Sequence, residues 1–327
     1  MMEGRSAKSS DPLVRHYRAA ANRELAVQVR FATVDVFTSR QFGGNPLAVV
    51  PEAGALSTQQ MQAIAAEFNL AETTFVLPPE DPTHTAKVRI FTPRAELPFA
   101  GHPNIGTAFI LGRVEAYRNR SGHDTMVFEE KAGLVQIELL KDGDDVVGAR
   151  LAAPQPLVVG DVIAPEIVAD ACSVTSADIE TAHHRPCIAS CGIPLLFAEL
   201  HDLAALAVAQ PRSEVFRQHL PNDRVTGVFL YVPANSKGID IQARMFAPLF
   251  GVPEDPATGS ANVTFVALLA ELQSEPDLRL DRIIAQGIEM GRPSRLEASA
   301  EKRAGRVIAA KVGGRCVPMM QGVLDIA

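Results

Sequence analysis

Tryptophan is absent from this chain of 327 residues, and cysteine occurs four times, at Cys172, Cys187, Cys191 and Cys316. Four irregularly spaced thiols exclude a disulfide framework. The spacing of Cys187 and Cys191 also lacks the paired motif of a zinc site, so all four read as core thiols in a reducing cytosol. There is no basic block, and the formal net charge is −7, which argues against nucleic acid as a partner. No apolar run reaches the length of a membrane span. No strand leads into a P-loop or a GxGxxG turn, so neither a nucleotide nor a nicotinamide cofactor is implied. Residues 1–28 carry several Arg but no apolar stretch like that of a secretory signal. Residues 1–29 read as a polar, flexible extension, partly helical around Val14–Val27.

Apolar residues make up 47% of the chain, enough for a substantial core, and the length suits one large or two ordinary domains. Gly and Pro, 23 of each, indicate many turns and short strands. Phe31–Phe37 alternates apolar and polar positions as a strand does. A Gly-Gly-Asn-Pro turn at 43–46 leads to a second strand, Leu47–Val50. Ser57–Phe68 has helical apolar spacing after a Ser/Thr start. Thr73–Leu77 and Lys87–Thr92 read as strands, and 93–108 (PRAELPFAGHPNIGTA) as a turn continuing into a short apolar helix, Thr107–Leu111. Met126–Glu130 and Leu134–Leu140 read as an antiparallel pair.

The order then repeats. Gly192-Ile193-Pro194 and Leu195–Leu200 mirror Gly44-Asn45-Pro46 and Leu47–Val50. Val228–Val232 mirrors Thr73–Leu77, and Arg244-Met245-Phe246-Ala247-Pro248 mirrors Arg89-Ile90-Phe91-Thr92-Pro93. The turns align as His102–Ala108 against Asp255–Ala261, which places His102 opposite Asp255. In the second turn, GVPEDPATGSA at 251–261, a helix begins near Gly259-Ser260 with Ser260 as its cap. A repeat of this length marks two similar α+β lobes, 30–150 and 151–327, with the last strand near 315–327 pairing back into the first. Two helix starts, at Gly106-Thr107 and Gly259-Ser260, would face one cleft, where their dipoles favour a carboxylate-bearing ligand.

GNPLAVV at 44–50, NLAETTFVLP at 69–78, RIFTPRAELPFAGHPNIGTA at 89–108, EDPATGSA at 254–261 and QGIEMGRPSRL at 286–296 together resemble the PhzF family, phenazine-biosynthesis isomerase-like proteins. The resemblance runs from about Phe31 to the C-terminus. It implies a diaminopimelate epimerase-like fold of two pseudo-symmetric lobes, each a β-barrel-like sheet around a central helix. It also implies a cytoplasmic, homodimeric enzyme without cofactor or metal. Glu72 matches the family's acid/base, with Ala71 where Ser is frequent, and His102 and Asp255 match active-site positions. Gly101, Gly259 and Ser260 are candidate donors to a substrate carboxylate, and Asn45 and Thr107 candidate cleft residues. Arg292 and Arg295 of GRPSR, at 291–295, read as surface charges.

Both turns lack the opposed cysteines of a two-thiol racemase. One carboxylate with helpers fits a single-face proton shift on a small, cyclic carboxylic acid, similar to trans-2,3-dihydro-3-hydroxyanthranilate. An epimerase using Glu72 with His102 or Asp255 as second base is the alternative, and a non-catalytic binding protein is a third reading. Partners of other classes, membrane or nucleic acid, are not expected.

Overall fold

In the computed structural model, residues 27–114, 117, 124–220, 223–236 and 238–326 are described. The expected extension lies outside them as far as residue 26, as does the helix near Val14. Residues 27–29 are instead the start of a strand, β1 (Val27–Val36). That strand pairs antiparallel with β2 (Asn45–Val50), which runs parallel to β3 (Glu72–Leu77), itself antiparallel to β4 (Ala86–Phe91). A two-residue arm, β5 (Glu96–Leu97), lies on the edge of β4 away from β3, and further along that edge β4 runs parallel to β6 (Thr125–Glu130). An antiparallel meander of β6, β7 (Gly133–Asp142) and β8 (Asp145–Ala152) meets the long last strand, β18 (Arg306–Ile326), which returns to β1. The ring of eight strands is thereby closed and leaves no free edge.

The second lobe repeats the succession. It comprises β9 (Val158–Val162), β10 (Ile179–Glu180), β11 (Cys187–Ser190), β12 (Pro194–Leu200), β13 (Val228–Ser236), β14 (Ile239–Ala247), β15 (Val252–Asp255), β16 (Leu278–Gln286) and β17 (Ser294–Arg303). From β11 through β12, β13, β14, β16 and β17 to β18 the pairings run antiparallel, parallel, antiparallel, parallel, antiparallel, antiparallel. The same order of directions runs from β1 to β8, with β15 lying on β14 as β5 lies on β4. The two lobes share β18, whose first part pairs with β17 and whose last residues pair with β1.

Side chains carry the repeat too. Arg89 grips Glu96 with Nε and Nη2, both at 2.8 Å, while its guanidinium lies 5.1 Å from the Phe91 ring. Arg244 grips Glu254 with the same two nitrogens at 2.8 Å and lies 4.9 Å from Phe246. Such bidentate, ring-stacked arginines fix the short arms β5 and β15 on their parent strands.

Each barrel encloses one helix, α2 (Gly101–Gly112) in the first lobe and α6 (Gly259–Glu271) in the second. Both are apolar or small on every face, the pattern of a helix buried all round. Ile105, Ala108, Phe109 and Leu111 of α2 are fully buried among Val34, Val36, Leu47 and Phe128. Full burial of each large side chain contributes about 1.5–3 kcal/mol. Gly106 lets α2 lie against β1 and β2, since a Cβ there would stand 2.6 Å from a Leu47 methyl and 2.8 Å from one of Val36.

The outer faces are covered by α1 (Thr58–Phe68) in the first lobe and, in the second, by α3 (Pro165–Cys172), α4 (Leu203–Val208) and α5 (Ser213–His219). A Ser57/Gln60 capping box starts α1, and Asn69, left-handed at φ 50°, ends it and turns the chain into β3 at Glu72. All four cysteines are free and buried. Among the described residues no helix is long and apolar enough to cross a membrane.

Candidate active site

The two barrel helices begin face to face. A Cβ on Gly101 would stand 3.2 Å from Gly259 Cα and from the Ser260 nitrogen, an approach that two glycine backbones alone permit. The first N–H groups of a helix have no partner within it, so two sets of donors and two positive dipole ends converge here. The expected start at Gly106-Thr107 is corrected to Gly101. Pro103, at the third helical position, is compatible with this because the N–H it lacks has no intrahelical partner in any case. Ser260 likewise is not the cap of α6: Thr258 is, and Ser260 is the second helical residue.

The equivalence between lobes therefore differs from the one read in sequence. Asn104 Nδ2 donates to Ala100 O at 3.0 Å, and Asn262 Nδ2 donates to Thr258 O at 2.9 Å, the same bond one turn into each helix. Gly101 thus matches Gly259, and His102 matches Ser260 rather than Asp255. Similar HPNIGTA and DPATGSA compositions drew the alignment five residues out of place. Thr107, two turns into α2, is fully buried with its hydroxyl 2.8 Å from that of Thr74. It is not brought to the cluster.

The remaining candidates do meet. Glu72 Oε2 lies 3.2 Å from His102 Nε2, and neither atom has an aligned hydrogen-bond partner. Asn45 Nδ2 donates to Asp255 Oδ1 at 2.8 Å and to Ala257 O at 3.0 Å, and stands 3.3 Å from His102 Nδ1. Two acceptors fix that atom as the amide nitrogen. Both amide protons are committed to these acceptors and an amide nitrogen cannot accept, so the ring proton of His102 is assigned to Nε2, toward Glu72, rather than to Nδ1. The second Asp255 oxygen accepts from the Thr258 hydroxyl. Asn45 Oδ1 is likewise buried without a partner in this cluster. Buried polar atoms are nearly always bonded, so such a concentration of unsatisfied ones marks a place that a polar ligand completes.

Burial dominates the electrostatics. It lifts Glu72 to about 8, with the Asp255 charge adding to the rise. Asp255 is raised by burial to about 6, against the pull of its bonds from Thr258 and Asn45. His102 is pushed down by burial to about 3 and is neutral at physiological pH. The resting site thus holds a neutral imidazole and two carboxyls lifted by burial, of which Asp255 gives up its proton before Glu72. Perturbed pKa values of this kind, in one cleft between two lobes, are characteristic of sites that move protons.

Sequence reasoning missed the groups that hold this arrangement. Arg292 donates from Nε to Gly44 O at 2.9 Å and from Nη2 to Gly43 O and Asp35 Oδ1 at 2.8 and 2.7 Å. Gly44 N in turn donates to Pro293 O at 3.1 Å. Arg292 is therefore not the surface charge expected of it: it clamps the turn that presents Asn45. Arg295 does have an exposed side chain, while its backbone N–H bonds Phe37 O. Gln286 braces the second helix, donating to Asp255 O at 2.7 Å and accepting from Thr258 N at 3.2 Å and from Asn262 Nδ2 at 2.9 Å.

Comparison with known proteins gives the family. The family model described as phenazine biosynthesis-like protein matches residues 34–322. The chain belongs to the PhzF family. An uncharacterized isomerase of Mesorhizobium japonicum is 35% identical over 89% of this chain and 97% of its own length. The trans-2,3-dihydro-3-hydroxyanthranilate isomerase of Pseudomonas chlororaphis is 34% identical over 90% of this chain and 98% of its own. A PhzF-family phenazine biosynthesis protein of Bacillus anthracis superposes with a TM-score of 0.80 at 22% identity, covering 91% of this chain and 99% of that one. The chain is accordingly an isomerase with the two-lobed PhzF fold.

For a PhzF-family isomerase, the inequality of the two lobes is informative. Thr73 faces Phe91 in the first lobe and Val228 faces Phe246 in the second, so with Arg89 and Arg244 equivalent the residue one step earlier, Gly227, is the counterpart of Glu72. A Cβ at Gly227 would stand 2.5 Å from Phe246 O. Asp255 corresponds to Leu97. The repeat supplied the frame, and the site was built asymmetrically within it.

Proposed function

We propose that this isomerase relocates a proton on a small, cyclic carboxylic acid, with Glu72 as the single acid/base. The observation that carries the reading is the unsatisfied Glu72–His102 pair, at 3.2 Å in a buried cleft. A base whose pKa stands near the working pH takes and returns a proton with comparable ease. His102, neutral with its proton on Nε2, is placed to donate to charge developing on the substrate. Asp255, held by Asn45 and Thr258, offers an acceptor to a substrate amine or hydroxyl. The N–H groups at Gly101, Gly259 and Ser260, with the Ser260 hydroxyl, suit the carboxylate.

The relatives named trans-2,3-dihydro-3-hydroxyanthranilate isomerase supply the substrate to try first. Such a shift moves a proton and a double bond within one molecule, with no net oxidation, so the chemistry needs no redox cofactor. One base is favoured over the two that an epimerase uses, because burial pushes His102 down to about 3 and both Asp255 oxygens already accept, from Asn45 and Thr258. The reading includes a homodimer, which rests on the family resemblance and is checked by light scattering.

The test is turnover of trans-2,3-dihydro-3-hydroxyanthranilate and related cyclic amino and hydroxy acids by the wild type and Glu72→Gln. Isomerisation lost by at least about a hundredfold in kcat, with ligand binding kept, supports the assignment. Undiminished turnover in the variant overturns it, and inversion at one carbon without double-bond migration would favour the epimerase.

A further inference from the structure

Glu130, the last residue of β6, takes no part in the scheme above. The barrel ladders give its counterpart: Lys87 faces Glu129 across β4 and β6, and Gln242 and Ala243 face Ala285 and Gln286 across β14 and β16. With Arg89 and Arg244 equivalent, Glu130 and Gln286 occupy the same place in their lobes, each beside the asparagine of its central helix. Gln286 is the brace already described, accepting through Oε1 and donating through Nε2 to the turn that starts α6.

We propose that Glu130 is a positioning residue of this isomerase: it remains a neutral carboxylic acid, does for the first lobe what Gln286 does for the second, and holds by a donated hydrogen bond the turn from which His102 projects. The proposal rests on the reading that the start of α2 belongs to the active site. Both Glu130 carboxyl oxygens are buried without a hydrogen-bond partner, and so is Asn104 Oδ1 beside them. Ionised, the group would add only acceptors beside Asn104, whose amide is the donor there and already gives to Ala100 O. Protonated, it supplies the missing donor, as the amide of Gln286 does.

The charged neighbours are engaged elsewhere. On β4, Lys87 bonds Glu80 and Arg89 bonds Glu96 of β5. Lys131 bonds Glu96, and Glu129 takes His84 and the N–H groups of Glu80 and Asp81. From α2 the titratable group is His102, neutral by burial. Burial correspondingly pushes Glu130 up to about 8, against a smaller opposing effect of Asn104.

The test labels the protein with carboxyl-13C glutamate and follows its NMR spectrum from pH 5 to 10. Glu130→Gln identifies the resonance, and the imidazole signals of His102 are read in parallel. The expected result is a Glu130 carboxyl protonated through pH 7, with His102 signals unmoved in Glu130→Gln and displaced in Glu130→Ala. With trans-2,3-dihydro-3-hydroxyanthranilate as substrate, kcat at pH 7 stays within about twofold in Glu130→Gln. It falls roughly tenfold or more in Glu130→Ala, as for a small displacement of catalytic groups. Because ionisation of Glu130 would release the turn, kcat of the wild type should fall above about pH 8, and that of the Gln variant should show no such fall.

A Glu130 resonance titrating in the ordinary glutamate range overturns the proposal. So does a Gln variant that folds yet displaces His102 as much as Ala does. Should Glu72 prove not to be the proton carrier, Glu72→Gln keeps its turnover, while the NMR titration and the His102 signals still decide the role of Glu130.

Discussion

Replacing Glu72 by Gln is expected to stabilise the fold at neutral and alkaline pH while removing turnover. In the folded protein the Glu72 carboxyl is lifted from 4.5 to about 8 by burial, with a contribution from Asp255. A folded-state pKa above the unfolded one means that the native state binds the extra proton between these values, so stability falls as pH rises through that window. Below about pH 4.5 both states are protonated and the group contributes no pH dependence. Above about pH 8 the full cost of the buried charge is present.

Such a lift corresponds to at most about 5 kcal/mol, at about 1.4 kcal/mol per pH unit. The Glu72 side chain keeps 17% of its surface exposed at the cleft, and water there offsets part of the cost, leaving about 2–3 kcal/mol. Urea denaturation of both proteins at pH 5, 7 and 9 reads the difference. Glu72→Gln should match the wild type at pH 5 and exceed it by about 2–3 kcal/mol at pH 9, roughly 5 °C in Tm. Stability curves that run parallel across this range would refute the burial argument and, with it, the poised base.

Arg292→Ala should destabilise by about 2–4 kcal/mol, because Asp35, only 4% exposed, loses its charge partner. The same variant should lower kcat through a loosened Asn45. Arg292→Lys should recover stability only in part, since an ammonium cannot span Gly43 O, Gly44 O and Asp35 together; equal melting curves for the two variants would count against the clamp. Gly106→Ala should cost about 1–3 kcal/mol by thermal denaturation despite alanine's better helix propensity, because the new methyl meets Leu47 and Val36 at 2.6 and 2.8 Å. Gly101→Ala should raise KM in steady-state kinetics while the variant still folds by circular dichroism, since its Cβ meets the Gly259 and Ser260 backbone at 3.2 Å and must part the helix starts; an unchanged KM would count against a ligand bound between them.

The lobed architecture was legible because strand patterning is local and the chain writes it twice: TTFVL and VFLYV, or RIFTP and RMFAP, can be matched by eye. Glu72, His102, Asp255 and Asn45 were legible through long motifs, and they do converge. The helix start at Gly101 was not, because Pro103 punctuates a sequence as a turn does, although its missing N–H costs nothing in a first helical turn. The misplaced start also misaligned His102 with Asp255.

Arg292 and Gly44 are 248 positions apart, and no local pattern signals a clamp across that separation. Glu130 was hidden for a different reason. A glutamate ending an amphipathic strand looks solvated until the barrel closes over it, and its role shows only beside Gln286.

The most direct measurement of the central claim is deuterium analysis by NMR of the product formed from trans-2,3-dihydro-3-hydroxyanthranilate in heavy water. A single buried carboxyl relaying the proton predicts one position exchanged at the receiving carbon, no stereochemical inversion elsewhere, and no exchange with Glu72→Gln although the ligand still binds. Deuterium incorporated by the Glu72→Gln variant at the wild-type rate would contradict the account.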